Sequence, residues 1–391
     1  MNESVYPYAQ LIFSTIEFLI FVSLIYAGSK VSKIKNINSY WHYSSIAIII
    51  YTLGKGLRFG RPVDYNLYCE RYYDIGKYGI ETSYEPLFQL ICSFFNFINL
   101  PYFVFILFCS FMIIYSSFRI AKPYYKAALF IFPLFLIVTY SSEMLIRWYL
   151  AFSFYLIGLD FFIKSNYTKS FLWFIASACI HFGIIVVILL TIIGNLYNKK
   201  ILSPKIVVIL FTLTMFIGDL QWLHFFDSFI YIFSINEKAA FYVDNYTNII
   251  DGTWKDTFYL ELPKKIRLWL AYAIPIFYLN RTRTNIPPIF YNLFFIGVIS
   301  LPLFLQVEIL NRYNDCFLFF AMIVIGMFYK EMFMQFKKLP THLKIGLFIS
   351  IFCIYWSAVS YIFDNRPWYN MLFIWDDFNN KEKLPLYLFS K

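Results

Sequence analysis

The chain has 391 residues, of which 60% are hydrophobic and only 14% charged, whereas soluble domains carry about 25% charged residues. That balance excludes a water-soluble globular domain. The formal net charge of +10 does not imply nucleic acid as a partner, because the cations lie in short clusters between apolar runs and do not gather on one soluble face.

A helix of about 20 apolar residues crosses the hydrocarbon layer of a bilayer, and runs of that kind predict the elements in chain order. The first, 8–28, is long enough to span and is followed by no small-residue cleavage site, so it reads as an anchor and not as a removable signal. Next come 41–57, a broken pair at 85–98 and 101–118, then 127–140, 143–163, 170–193 and 206–223. The runs 265–280, 287–305, 309–329 and 343–363 complete the set. Two longer loops, 58–84 and 224–264, and a polar tail, 364–391, interrupt or close the pattern. The expected fold is an all-α polytopic membrane protein with about 11–13 transmembrane helices, some short or re-entrant, and residues 1–363 forming one bundle. All cysteines but Cys69 lie in apolar runs, and no CxxC occurs, so neither a disulfide framework nor a metal cluster is indicated.

Lysine and arginine bias sets the expected orientation. Lys30, Lys33 and Lys35 form one cluster, and Arg119, Lys122 and Lys126 another; Lys164 with Lys169, Lys199 with Lys200, Arg281 with Arg283, and the lysines from 330 to 344 follow. If all are cytoplasmic, the N-terminus and both long loops lie outside. Parity then requires 85–118 to count as one crossing and 170–193 to cross twice or not at all. Run 85–98 gives only ~21 Å of helix, and 170–193 contains His181-Phe182-Gly183 at its centre. Broken or re-entrant helices resolve both conflicts, and such backbone is tolerated at membrane depth where protein or a wet cavity surrounds it. The alternative is that one cluster violates the bias.

With this topology a set of arginines falls at the outer face, against the rule. Arg58, Arg61 and Arg71 lie in the first outer loop, Arg147 near the outer end of its span, and Arg267 and Arg312 at the starts of theirs. A guanidinium binds phosphate oxygens in a fork that lysine cannot reproduce, so several converging at headgroup level point to a diphosphate. Local pairing is the competing account: Glu143 is four residues before Arg147, and Asp315 three after Arg312, both at helical spacing. Candidate bases are Asp64, Glu85 and His181. Glu85 stands before a proline at an expected helix start, where it also serves as a simple cap. His181 is an ionisable group inside an apolar segment, which is costly and often functional. Tyr65, Tyr68, Tyr72 and Tyr73 suit either sugar stacking or interfacial packing. No nucleotide-binding glycine loop, HExxH or GxSxG is present, and four scattered histidines argue against zinc.

The order of these motifs resembles the EpsG-like branch of the Wzy polymerases, which join repeat units of O-antigen and exopolysaccharide. The resemblance runs from G60-R-P-V-D-Y-N-L-Y68 through E85-P-L-F-Q-L-I, I146-R-W-Y-L-A and A176-S-A-C-I-H-F-G183 to N311-R-Y-N-D-C-F-L. It implies a GT-C-like polymerase bundle in the bacterial inner membrane, working on its periplasmic face. Both substrates would be glycans on undecaprenyl diphosphate, a growing chain as donor and one repeat unit as acceptor, with a chain-length regulator in the same membrane as a further partner. The family pattern carries over to Arg61, Asp64, Tyr65, Glu85, Pro86, Arg147, His181 and Arg312, with Arg58, Arg267 and Tyr313 completing the expected substrate-binding set. Trp148 departs from it, since the family often has Gln after the mid-chain arginine. No cofactor or metal is expected, because arginines neutralise the leaving diphosphate, and one direct displacement would invert the anomeric centre. The rival readings are a flippase or transporter of lipid-linked oligosaccharide, which commonly shows internal repeats not found here, and an O-antigen ligase using the same donor.

Overall fold

Long apolar runs become helices in a bilayer because lipid offers the backbone no hydrogen-bonding partner, so each segment must satisfy its own. The computed structural model describes residues 9–59, 65–79, 84–196, 199–217, 262–279, 286–304, 308–362 and 372–373. Among them, five helices are long and apolar enough to cross a membrane: Leu11–Ser32, Tyr102–Val138 (which contains a 3-10 interruption), Ile146–Ile163, Leu310–Met334 and Thr341–Ser360. Four shorter apolar helices accompany them: Pro86–Phe97, Ile184–Asn195, Pro204–Phe216 and Pro288–Phe304. The protein is an all-α multi-pass membrane protein. The chain forms two compact units, residues 1–190 with 356–391, and residues 191–355.

The first unit begins with α1 (Ala9–Ser32) and α2 (Tyr40–Gly56). A two-residue strand β1 (Arg58–Phe59) pairs antiparallel with β2 (Leu372–Phe373). Then follow α3 (Tyr65–Tyr78), α4 (Pro86–Phe97), α5 (Tyr102–Ala121), α6 (Ala128–Val138), α7 (Ile146–Ile163), α8 (Tyr167–Ile180) and α9 (Ile184–Leu196), the last running on into the second unit. α1 packs on α2 and α6, α5 lies between α2 and α7, and α8 runs along α7. The α2–α5 approach is close enough to require glycine. A Cβ on Gly56 would lie 2.5 Å from Leu107 Cδ2 and 2.8 Å from its Cα. The finishing ends of α5 and α7 are tied by Arg119 Nε and Asp160 Oδ2 at 2.8 Å, and Lys164 joins Asp160 at 2.7 Å.

The amphipathic α3 is not a span. It lies on α4, with the Tyr72 hydroxyl donating to the Leu100 carbonyl at 2.6 Å and Asn96 Nδ2 donating to the Tyr72 carbonyl at 2.9 Å. Phe88 and Phe95 both meet Phe105 near the start of α5. Thus α4, only 12 residues long, packs its rings on the first turns of α5.

In the second unit, α10 (Pro204–Ile217) packs against α11 (Leu262–Tyr278) and α12 (Pro288–Phe304). Trp269 Nε1 donates to Thr212 Oγ1 at 2.8 Å across the first pair. Asn292 pins the chain before α10, accepting from the Ile201 N–H at 3.0 Å and donating to the Lys199 carbonyl at 2.9 Å. α13 (Glu308–Leu318) lies on α12 and is followed, after one turn at Phe319–Phe320, by α14 (Ala321–Met334). The single span expected over 309–329 corresponds to Leu310–Met334, interrupted by the turn at Phe319–Phe320. α15 (Thr341–Ile362) is held to α14 by Tyr329 and Ser350 at 2.8 Å, and its last turn returns to the first unit, where Ser14 donates to the Ile362 carbonyl at 2.7 Å.

Candidate functional site

The Glu85-Pro86 step starts α4 as proline at a helix N-terminus dictates. Glu85 takes the extended N-cap conformation, φ −66° and ψ 144°, yet its carboxylate makes no capping hydrogen bond. Cap duty is declined because both oxygens are engaged elsewhere. Arg147 Nη1 donates to Oε2 at 2.7 Å, and the Phe182 backbone N–H donates to Oε1 at 3.2 Å. One carboxylate thus joins the starts of α4 and α7 to the residue after α8. The guanidinium lies over the Tyr84 ring, 4.8 Å from its centroid, with Phe88 at 5.8 Å, an arrangement that strengthens a cation's hold in low dielectric. Both partners remain open to the surroundings, the side chains being 12% exposed for Arg147 and 21% for Glu85. Arg147 Nε makes no hydrogen bond. The helical pair Glu143–Arg147 allowed by spacing is not what forms, because Glu143 ends a 3-10 turn (Tyr140–Glu143) ahead of α7 and turns to Lys55 Nζ at 2.7 Å.

The break expected inside 170–193 is present. α8 stops at Ile180, and His181 is extended at φ −152° and ψ 113°. Its Nδ1 accepts from the Gly183 N–H at 3.1 Å, which leaves the neutral ring's proton on Nε2. The imidazole stands edge-on to Trp148, centroids 5.0 Å apart. Gly183 fits against that indole because it has no side chain; a Cβ there would lie 2.9 Å from Trp148 Cζ3. Trp148, the departure from the family pattern, therefore packs the wall on which His181 and the helix break rest. Freed from the helix ladder, the Phe182 N–H is what reaches Glu85.

The first unit thus brings Glu85, Arg147 and the His181 segment together. Arg58 lies in the same unit in different surroundings. It is buried, its Nη1 donating to the Lys55 carbonyl at 3.0 Å and its Nη2 to the Glu143 carbonyl at 3.1 Å. Tyr65 is buried edge-on to Tyr102, centroids 5.1 Å apart, and burial pushes its phenol above the ordinary value. Tyr72 packs on Tyr102 and Phe105. Tyr73 is half exposed. In the second unit, Arg267 lies in the second turn of α11 with its Nε unbonded, and Arg312 and Tyr313 are half-buried on α13, where Ser300 donates to Asn314 Oδ1 at 2.9 Å. Arg61 and Asp64 fall outside the described residues.

Reasoning from sequence missed the partners of Lys55. Its ammonium sits between Glu17, on α1, and Glu143, and the side chains of all three are 3% exposed or less. The signal was available: Glu17 is an acid inside the first apolar run, and an acid at that depth demands a cation.

A sequence model of the EpsG family matches residues 41–373, a stretch that includes every site residue named above. No curated protein and no solved structure matches the chain.

Proposed function

Because the chain belongs to the EpsG family, we propose that it is a glycosyltransferase that polymerises undecaprenyl-diphosphate-linked repeat units into O-antigen or a related surface polysaccharide. It works in the bacterial inner membrane, its site facing the periplasm. The observation carrying the reading is the Arg147 guanidinium, fixed on Glu85 at 2.7 Å while its side chain stays partly exposed. A diphosphate oxygen arriving there meets a donor already oriented, and developing negative charge in the transition state is where such a donor acts most strongly.

The reaction follows from this placement. The acceptor hydroxyl oxygen bonds to the donor's anomeric carbon as the bond from that carbon to the diphosphate oxygen breaks. The electron pair leaves with the lipid diphosphate, held by Arg147, and the anomeric centre inverts. The hydroxyl proton goes to a carboxylate, Asp64 or Glu85. His181, with Nδ1 occupied by the Gly183 N–H, is less suited to take that proton than the two carboxylates.

Single substitutions Arg147→Ala, Arg312→Ala, Glu85→Gln and Asp64→Asn, made in cells producing the polysaccharide, test the reading through the ladder of chain lengths. A polymerase defect leaves single repeat units on the core lipid. Loss of all surface repeats would instead identify a flippase, and polymer stranded on its carrier a ligase. Normal ladders from all four variants at normal protein levels would remove the site assignment.

A further inference from the structure

Arg147 is the second residue of α7, and the turn that feeds α7 is gripped from one neighbour. Tyr51 and Lys55, four residues apart, lie on one face of α2, and Arg58 follows at the start of β1. Tyr51 Oη lies 3.3 Å from Ser142 Oγ, Lys55 Nζ 2.7 Å from a Glu143 carboxylate oxygen, and Arg58 Nη2 donates to the Glu143 carbonyl at 3.1 Å. From the other side, Glu17 on α1 meets the same ammonium. Two carboxylates, one ammonium and one guanidinium balance, so the cluster closes without net charge. Apolar side chains of the same volume hold helices together without the desolvation cost of buried charge. A cluster of this kind does something packing alone does not: it fixes direction as well as distance.

Building on the role given above to Arg147, we propose that Glu17, Lys55, Glu143 and Arg58 are positioning residues for the transfer reaction. They lock the start of α7 so that the Arg147 guanidinium stays on Glu85 and aimed at the diphosphate. None of the four touches substrate. Their effect on rate comes through the placement of Arg147, where a displacement of about 1 Å costs on the order of 100-fold.

The test uses the full-length protein in membranes supplied with lipid-linked repeat units. The double variant Glu17→Gln with Lys55→Met removes one charge of each sign and leaves Glu143 and Arg58 in balance. Expected is a folded protein whose kcat falls about 10-fold or more at unchanged KM for the acceptor. In that background Arg147→Lys, damaging in the wild-type chain, should add little. Glu143→Asp keeps every charge and retracts the carboxylate by one methylene, so it reads the same grip if the double variant is lost to misfolding; its kcat should also fall. A wild-type kcat from either folded variant, or effects of the double variant and Arg147→Lys that simply multiply, would overturn the positioning role. Should Arg147→Lys and Arg147→Ala leave the wild-type chain's rate intact, it is the assignment of Arg147 itself that fails.

Discussion

Two ionic clusters at the start of α7 use the same chemistry to different ends. The Glu17–Lys55–Glu143 cluster is closed, its side chains 3% exposed or less, with Arg58 completing the charge balance from two backbone carbonyls. The Glu85–Arg147 pair is more open, its side chains 21% and 12% exposed. A buried charge must be fully matched or it destabilises the fold, whereas a group that is to bind substrate must keep donors in reserve. The closed cluster fits architecture, and on the function proposed above the open pair is the site.

The largest effect expected from breaking the contrast is on the closed side. Lys55→Met strands two buried carboxylates and should cost about 3–5 kcal/mol, read as lost folded yield and a lower melting temperature in detergent; an unchanged melting curve would contradict the closed cluster. On the open side, Arg147→Ala should lower the transfer rate by about 10²–10³-fold in an assay of repeat-unit joining, with a smaller loss of melting temperature than Lys55→Met gives. Gly183→Ala sharpens the boundary of the site. Its new methyl meets Trp148 and His181, and overpacking of about 1–3 kcal/mol should displace the helix break, so activity per folded molecule falls. Least affected should be Asp74→Asn on α3. The Arg71–Asp74 pair spans 3.8 Å with both side chains about 40% exposed, and exposed pairs contribute no more than about 0.5 kcal/mol, within the scatter of a melting measurement.

Much of this was written locally in the sequence. The runs 41–57, 287–305 and 343–363 fall within two residues of α2, α12 and α15, since apolar length is a property of consecutive residues. The two parity conflicts located the short α4 and the break at His181, because topology and helix length are read from the same string. Pairing was not legible. Spacing offered Glu143 to Arg147, but the 3-10 turn ending at Glu143 destroys the i,i+4 relation, and the true partner, Glu85, lies 62 residues away. The partners of Lys55 were hidden for the same reason: its two carboxylates come from α1 and from the turn before α7, and only folding brings them to one point. Trp148 read as a lost amide until the imidazole of His181 was seen against its ring.

The central claim is that the Arg147 guanidinium receives the lipid diphosphate, and binding measures it without requiring turnover. Purified wild-type protein and Arg147→Ala, matched for folded content, would be titrated with a short polyprenyl diphosphate and, as a control, with the corresponding polyprenol. A loss of a charge-assisted contact is worth about 1.5–3 kcal/mol, so the diphosphate should bind roughly 10- to 100-fold more weakly to the variant while the alcohol binds both proteins alike. Equal affinity of the two proteins for the diphosphate would contradict the account.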